Sequence, residues 1–278
     1  MHSLEKVVAH YGSRDLEAAL LAALVQAGKD PDRLCPDDLA PIDEFHVRGA
    51  LATRELAQEV APLAGMQVLD IGSGLGGPSR YLAGQYGCRV VGVDLSESYC
   101  RAAQMLSGRL GMGDRVCYVA ANALALPFPD DSFDLVWTQH VSMNIQDKHR
   151  FYGEIRRVLK DGGRLAFYDV TAGPGGGVHF PVPWASDDSA SFLVTQAELR
   201  QLLDEAGFRA LSWQDVTPEA LAWFRQRQAK VRQDGPRPLG LHLLLGADFG
   251  KMAQNQLRNL EEGRITLVEA VFQAASRN

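Results

Sequence analysis

Much is missing from this chain, and each absence narrows what it can be. No run of about eighteen apolar residues occurs, so no membrane-spanning helix is expected. The first residues are mixed and poor in apolar side chains, unlike a secretory leader. Cysteine is scarce, four residues at 35, 88, 100 and 117 with no CxxC pair, which reads as reduced thiols in a cytoplasmic protein and argues against zinc or any other metal. Lysine and arginine form no cluster, and 28 basic against 34 acidic residues leave a net charge of −6, so a nucleic-acid backbone is not the expected partner. No internal repeat is present, and the only short biased segment is the glycine cluster at 173–177.

What remains is an ordinary globular composition, 46% hydrophobic and 22% charged over 278 residues, enough for one large α/β domain with additions. From residue 66 onward, strand and helix patterns alternate. Short runs rich in β-branched and aromatic residues predict strands at 66–71, 89–94, 115–120, 133–138 and 164–170, with later candidates at 208–213 and 265–272. Amphipathic stretches predict helices at 78–86, 97–110 and 149–159. That rhythm implies right-handed crossovers and a mostly parallel sheet covered by helices. Residues 1–61 read as an N-terminal helical cap on a core of 62–278, with helices at 16–25 and 50–60 joined through the proline- and acid-rich segment 30–41. A loop at 171–194 and a helical insertion at 215–262 are expected to cap the substrate side.

The central signal is the run Val68-Leu-Asp70-Ile-Gly72-Ser73-Gly74-Leu-Gly76-Gly77, a strand entering glycines ahead of a helix that begins near Pro78. Gly72, Gly74 and Gly77 also satisfy GxGxxG, which alone does not separate a dinucleotide from another nucleoside cofactor. Asp94 ends the next strand, where a carboxylate can accept two hydrogen bonds from vicinal ribose hydroxyls or cap the helix at Ser96–Glu97. Asp70 points away from a pyrophosphate, since a negative charge there gains nothing from neighbouring phosphates. It suits a cofactor with a cationic amino-acid end, or it braces its own glycine loop.

Four segments in order, LDIGSGLGG, VVGVDLS, NALALPFPDDSFDLVW and RVLKDGGRLAFYDV, resemble the successive motifs of class I S-adenosylmethionine-dependent methyltransferases over residues 45–170. The wider chain, through VVAHYGSRDLEAAL, DEFHVRG and GADFGKMAQNQLRNLEEGRI, is similar to the small-molecule branch that contains ubiquinone/menaquinone-biosynthesis, tocopherol and sarcosine/dimethylglycine methyltransferases. The resemblance implies a Rossmann-like, seven-stranded, mostly parallel α/β sheet with an antiparallel last strand. It implies S-adenosylmethionine as cofactor and S-adenosylhomocysteine as product. By the same resemblance Asp70, Gly72, Ser73 and Gly74 would line the methionine end, Asp94 would hold the ribose and Leu95 would pack on adenine. Asn122 and Ala123 would meet the adenine edge, although the family commonly has Asp where this chain has Asn122. Gln139 and His140 would follow strand four at the reaction centre, His46 and Arg48 would close the cofactor pocket, and Tyr11 would fold over it.

Methyl transfer from a sulfonium is an in-line displacement from an activated donor, so the protein chiefly aligns and excludes water. An acceptor that must lose a proton needs a base, and His140 is the candidate, either moving a proton or only orienting substrate. Asn144 in the QHVSMN segment can orient a polar substrate, or serve as a turn residue. His179 and Trp184 are expected in a lid over the acceptor, or in a packed surface loop, and Arg48 has a helix-surface salt bridge as its alternative. A small-molecule acceptor is the expected partner, with the chain a monomer or homodimer. Two rival functions use the same turn: an NAD(P)-dependent oxidoreductase and a non-catalytic nucleoside-binding module.

Overall fold

The computed structural model describes residues 16–234 and 239–277. Three helices come first: α1 (Leu16–Gln26), α2 (Pro36–Asp43) and α3 (Ala50–Val60). The middle one replaces the connecting segment expected at 30–41. Its start is well supported: Pro36 occupies the first turn, where a missing N–H costs nothing, and the Asp38 carboxylate accepts the Cys35 N–H at 2.9 Å. Leu39 and Ile42 then bury against Leu20 and Leu24 of α1, a tertiary gain that outweighs Pro41 within the helix.

The alternating part follows as β1 (Gln67–Ile71), α4 (Gly77–Tyr86), β2 (Arg89–Asp94), α5 (Glu97–Arg109), β3 (Val116–Ala120), β4 (Phe133–Gln139), α6 (Lys148–Val158) and β5 (Leu159–Ala172). An unanticipated helix, α7 (Gln196–Glu205), comes next; Thr195 and Glu198 cap it reciprocally, the Thr195 N–H donating to Glu198 Oε2 at 2.8 Å. The chain ends in β6 (Phe208–Asp215), α8 (Thr217–Asp234), α9 (His242–Leu245), α10 (Phe249–Glu261) and β7 (Ile265–Ala274). β5 starts five residues before the expected 164 because Leu159 already pairs with Phe133, across an irregularity in the ladder.

One seven-stranded sheet has the order β3-β2-β1-β4-β5-β7-β6, parallel except for β7, which runs antiparallel between β5 and β6. Strand order reverses between β1 and β4, so the crossovers diverge there and leave a crevice at the carboxyl ends of both strands. One sheet face is covered by α3 and the helices around it, with Leu56, Val60, Trp137, Tyr168 and Val271 in its core. The other carries α6 and α7, whose Phe151, Ile155, Leu199 and Leu203 pack on Leu69, Val136 and Phe167. Among the described residues no helix is long and apolar enough to cross a membrane.

Candidate functional site

The crevice at the strand reversal is a cleft of about 1210 Å³ measured to its open mouth. Its floor is the turn after β1. Gly72 takes φ +74°, and a Cβ there would overlap Val141 Cγ2. The Gly72 and Ser73 N–H groups donate to Val93 O at 2.7 and 3.1 Å, which anchors the turn to the end of β2. Gly74 N–H donates to Asp94 Oδ2 at 3.0 Å, and Ser96 N–H to Asp94 Oδ1 at 2.9 Å. Asp94 therefore braces the turn with Oδ2 and the start of α5 with Oδ1, and each oxygen retains a second lone pair for a ligand.

Asp70 is buried, and its Oδ2 accepts the Ser79 hydroxyl at 2.5 Å. Burial pushes its carboxyl up to about 7, with Glu44 and Asp94 adding to the effect and Ser79 and His46 opposing it. Burial also raises the Asp94 carboxyl, against the two N–H donors. Two acids whose charge is costly without a counter-ion thus share one cleft. Ser73 Oγ is buried there without a hydrogen-bond partner, as is Gln139 Nε2. This donor set fits a ligand with ribose hydroxyls and a cationic end.

The other wall comes from β4 and the cap. Gln139 Oε1 accepts the Trp137 indole N–H at 2.9 Å and lies 3.2 Å from Thr53 Oγ1 on α3. His46 Nε2 lies 2.8 Å from Glu44 Oε2 and 3.1 Å from Thr53 Oγ1, so the segment between α2 and α3 is tied to the end of the sheet. His140 adopts φ +55°, unusual for a side-chain-bearing residue, while its N–H donates to Tyr168 O at 2.7 Å. Burial, reinforced by His46, holds its imidazole well below the usual range. The ordinary histidine range taken from the sequence does not apply to His140.

Of the sequence-predicted residues, Asp70, Gly72, Ser73, Gly74, Asp94, Leu95, Asn122, Ala123, Gln139, His140, His46 and Asn144 all line the cleft. Besides Asp70, Asp94, Gln139 and His46, two more of them already hold partners. Asn122 Oδ1 accepts the Leu124 N–H at 2.9 Å, and Asn144 Nδ2 donates to Trp184 O and Ala190 O at 2.8 Å each, pinning the segment that follows β5. Three others do not line the cleft. Arg48 is buried with its guanidinium on Glu55 at 2.5 Å, the ion-pair alternative. Trp184 is core, its indole N–H donating to Ser191 Oγ at 3.0 Å. His179 stands on α10, with Nε2 2.9 Å from Glu262 and its backbone N–H on Asn259 Oδ1. The reason is the path of the glycine loop: Gly173 and Gly175 N–H groups donate to Arg264 O and Gly263 O, so it folds back onto the turn before β7 instead of over the cleft. Tyr11 lies outside the described residues.

Sequence reasoning missed Asp43 and Phe45 beside α2, Tyr99 on α5, Ile145 after β4 and Leu244 on α9, all cleft-lining. Phe45 sits in the DEFHVRG segment and had a signal; Leu244 reaches the site only through the path of the insertion. Among the described residues no His, Cys, Asp and Glu group is arranged to hold a metal ion.

A parallel sheet with reversed strand order, a glycine turn and two acids at its open cleft is the arrangement of an α/β protein that takes a ligand at the strand reversal. Comparison with known proteins narrows the class. Residues 69–167 match the family model described as a methyltransferase domain. The chain is similar to an O-methyltransferase, resE, of Aspergillus sclerotiorum, 32% identical over 185 residues covering 65% of this chain and 69% of that protein. It is 29% identical to a sarcosine/dimethylglycine N-methyltransferase of Halorhodospira halochloris, over 84% of this chain and 83% of that one. Other curated relatives are matched over 55% or 27% of their own length. Among solved structures, the geranyl diphosphate C-methyltransferase of Streptomyces coelicolor A3(2) shares the fold with a TM-score of 0.70 at 19% identity, covering 99% of both chains. The chain belongs to the class I S-adenosylmethionine-dependent methyltransferases, in the small-molecule branch.

Proposed function

We propose that this protein transfers a methyl group from S-adenosylmethionine to the hydroxyl group of a small, largely apolar acceptor. The observation that carries the donor half is Asp94, fixed at the end of β2 by Gly74 and Ser96 N–H groups beside the buried Asp70. Asp94 would hold the ribose hydroxyls, Asp70 and the Gly72–Gly74 turn the amino-acid end, and Leu95, Asn122 and Ala123 the adenine. When bound, the cofactor supplies an electrophilic methyl group on a sulfonium, so the chain's own task is alignment, exclusion of water and acceptance of a proton.

His140 supports the acceptor half. His140 lines the cleft, and its Nε2 has no hydrogen-bond partner, so that nitrogen can take the proton that a hydroxyl acceptor gives up. Phe45, Val141, Ile145 and Leu244 surround that end of the cleft and favour an apolar body on the acceptor. The O-methyltransferase relative supports the same reading. The free cysteines Cys88 and Cys100, both buried, fit a reducing compartment such as the cytoplasm.

Calorimetric titration with S-adenosylmethionine, S-adenosylhomocysteine and NAD tests the donor half, alongside Asp94→Ala. Binding of the two sulfur nucleosides is expected near the micromolar range, about −8 kcal/mol, and weakened at least tenfold in the variant. Binding of NAD alone would overturn the reading in favour of an oxidoreductase. A screen of phenols and small amines for release of S-adenosylhomocysteine tests the acceptor half, and turnover of amines only would overturn it.

A further inference from the structure

Behind the His140 end of the cleft lies a second polar cluster that does not line it. Tyr168 on β5 and Glu269 on β7 are directly opposed in the antiparallel ladder, so they share one sheet face with Cβ atoms about 5 Å apart. Both side chains are buried, and Tyr168 Oη and Glu269 Oε2 have no hydrogen-bond partner. The same is true of His140 Nε2 and Arg48 Nη1. The Tyr168 ring lies 4.8 Å from the His140 ring and 5.8 Å from that of His46, and the two histidines are 5.9 Å apart, so the three rings close a triangle. Buried polar atoms are almost always satisfied, and unused ones concentrated at a reaction centre call for a functional account.

The chemistry of the cluster supplies one. A proton taken up by His140 creates an imidazolium in a buried site beside another histidine, which desolvation opposes. A carboxylate in the same recess offsets that cost. A tyrosine hydroxyl is suited to stand between them, because it donates one hydrogen bond and accepts others. Charged and titratable groups face Glu269 from each element packed on it: Arg48 and His46 before α3, and Glu55 and Glu59 on α3. Glu219 on α8 faces Tyr168. Arg48, the permanent cation among them, engages Glu55 through Nη2 and leaves Nη1 without a partner.

We propose that Glu269, acting through the Tyr168 hydroxyl, is a positioning residue that supplies the counter-charge for a proton held on His140. This rests on the reading of His140 as the proton acceptor. The balance is simple: the acceptor's proton moves to His140, no charge leaves the recess, and the imidazolium and the Glu269 carboxylate form a neutral pair until the proton departs to solvent. Burial pushes the Glu269 carboxyl up to about 7, with Glu55 and Glu59 adding to it and Arg48 and His46 opposing. The counter-charge is therefore present above neutrality and lost below it.

The test is an NMR titration of the whole protein carrying ¹³C-labelled histidine, with saturating S-adenosylhomocysteine, from roughly pH 5 to 9. The His140 ring resonance is assigned by its loss in His140→Gln. In the wild type it is expected to shift with an inflection near neutrality as Glu269 ionises. That inflection is expected to disappear in Glu269→Gln, to return in Glu269→Asp, and to fall to half or less in Tyr168→Phe. It is expected to survive Asp70→Asn, which excludes the other buried acid of the same range. A merely structural role would lower the melting temperature and leave the inflection in place. An inflection missing from the wild type, or unchanged in both Glu269→Gln and Tyr168→Phe, would overturn the proposal. If Glu269→Gln does not fold, Tyr168→Phe decides it, since that change removes only a hydroxyl. Failure of the wild type to bind S-adenosylhomocysteine in the same samples would instead overturn the donor reading, with the coupling of His140 to Glu269 still read directly.

Discussion

Replacing Asp70 by asparagine should make the free protein more stable and the donor site worse. Asp70 is 2% exposed, and burial, with Glu44 and Asp94 nearby, pushes its carboxyl from the usual range near 4 up to about 7. A difference of that size corresponds to about 4 kcal/mol spent on keeping the charge in the folded state. The sign follows from proton counting. Between about pH 4 and 7 the folded chain keeps a proton that the unfolded chain has given up, so stability falls as pH rises through that window and stays low above it. Asparagine cannot ionise and retains an oxygen for the Ser79 hydroxyl, which donates to it at 2.5 Å in the wild type. Its amide N–H groups need partners that the wild type does not supply, which takes back roughly half of the gain. The net expectation at pH 8 is about 1–3 kcal/mol, or roughly 3–10 °C in melting temperature for a chain of this size. At about pH 5.5, midway through that window, roughly half of the charge cost remains and the amide cost offsets it, so the two melts should nearly coincide. Thermal melts at both pH values, with and without S-adenosylhomocysteine, read both effects. The ligand should raise the wild-type melting temperature more at pH 8 than at pH 5.5, and the variant's little at either. A variant that melts below the wild type at pH 8 would refute the reasoning, because the acid would then be a net structural brace.

Two further substitutions probe how the cleft is held. Gly72→Ala places a methyl group at φ +74° against Val141 Cγ2, whereas Gly74→Ala at φ +52° meets open space. Both should lose about 1–2 kcal/mol in denaturant unfolding from left-handed backbone strain, and both should weaken S-adenosylhomocysteine binding, Gly72→Ala through displaced Val141 and Gly74→Ala through a methyl group in the cleft. Lys148 is buried, and its ammonium donates to Ser142 O, Ile145 O and Phe192 O at 2.9, 2.8 and 2.6 Å; burial pulls its pKa down to about 8. Lys148→Met keeps the stem and takes the ammonium donor from three carbonyls, of which Ser142 O keeps the Ile145 N–H, so a loss of about 2 kcal/mol is expected, with faster amide exchange at residues 142–145 and 190–193. Unchanged exchange there would show that Lys148 does not hold the loop.

The sheet was readable from the chain because its strands are written locally. Residues 89–94, an apolar run between Cys88–Arg89 and Ser96, form β2 with no shift of boundary, and β1 and β4 differ from expectation by one residue each. The same holds for the turn at Gly72–Gly77 and its acid Asp94, since the glycines follow the strand directly and the acid ends the next strand, 20 residues beyond Gly74. Helix α7 also carries a local signal, the capping box of Thr195 and Glu198, although no helix was expected there.

The remaining differences arise where partners are far apart in sequence. Helix α2 owes its formation to Leu39 and Ile42 packing on α1, despite Pro41. Trp184 leaves the cleft for the core, His179 is drawn to Glu262, and Arg48 is spent on Glu55. None of these outcomes has a periodicity or a local motif behind it. The opposition of Tyr168 and Glu269 depends on the register of two strands about a hundred residues apart. The sequence by itself pointed to the class of enzyme through the resemblance of four ordered motifs, because the donor site is built from local pattern: strand, glycines, next-strand acid. Only the tertiary structure decided which side chains stand free at the reaction centre, because burial and hydrogen-bond competition are settled by long-range packing.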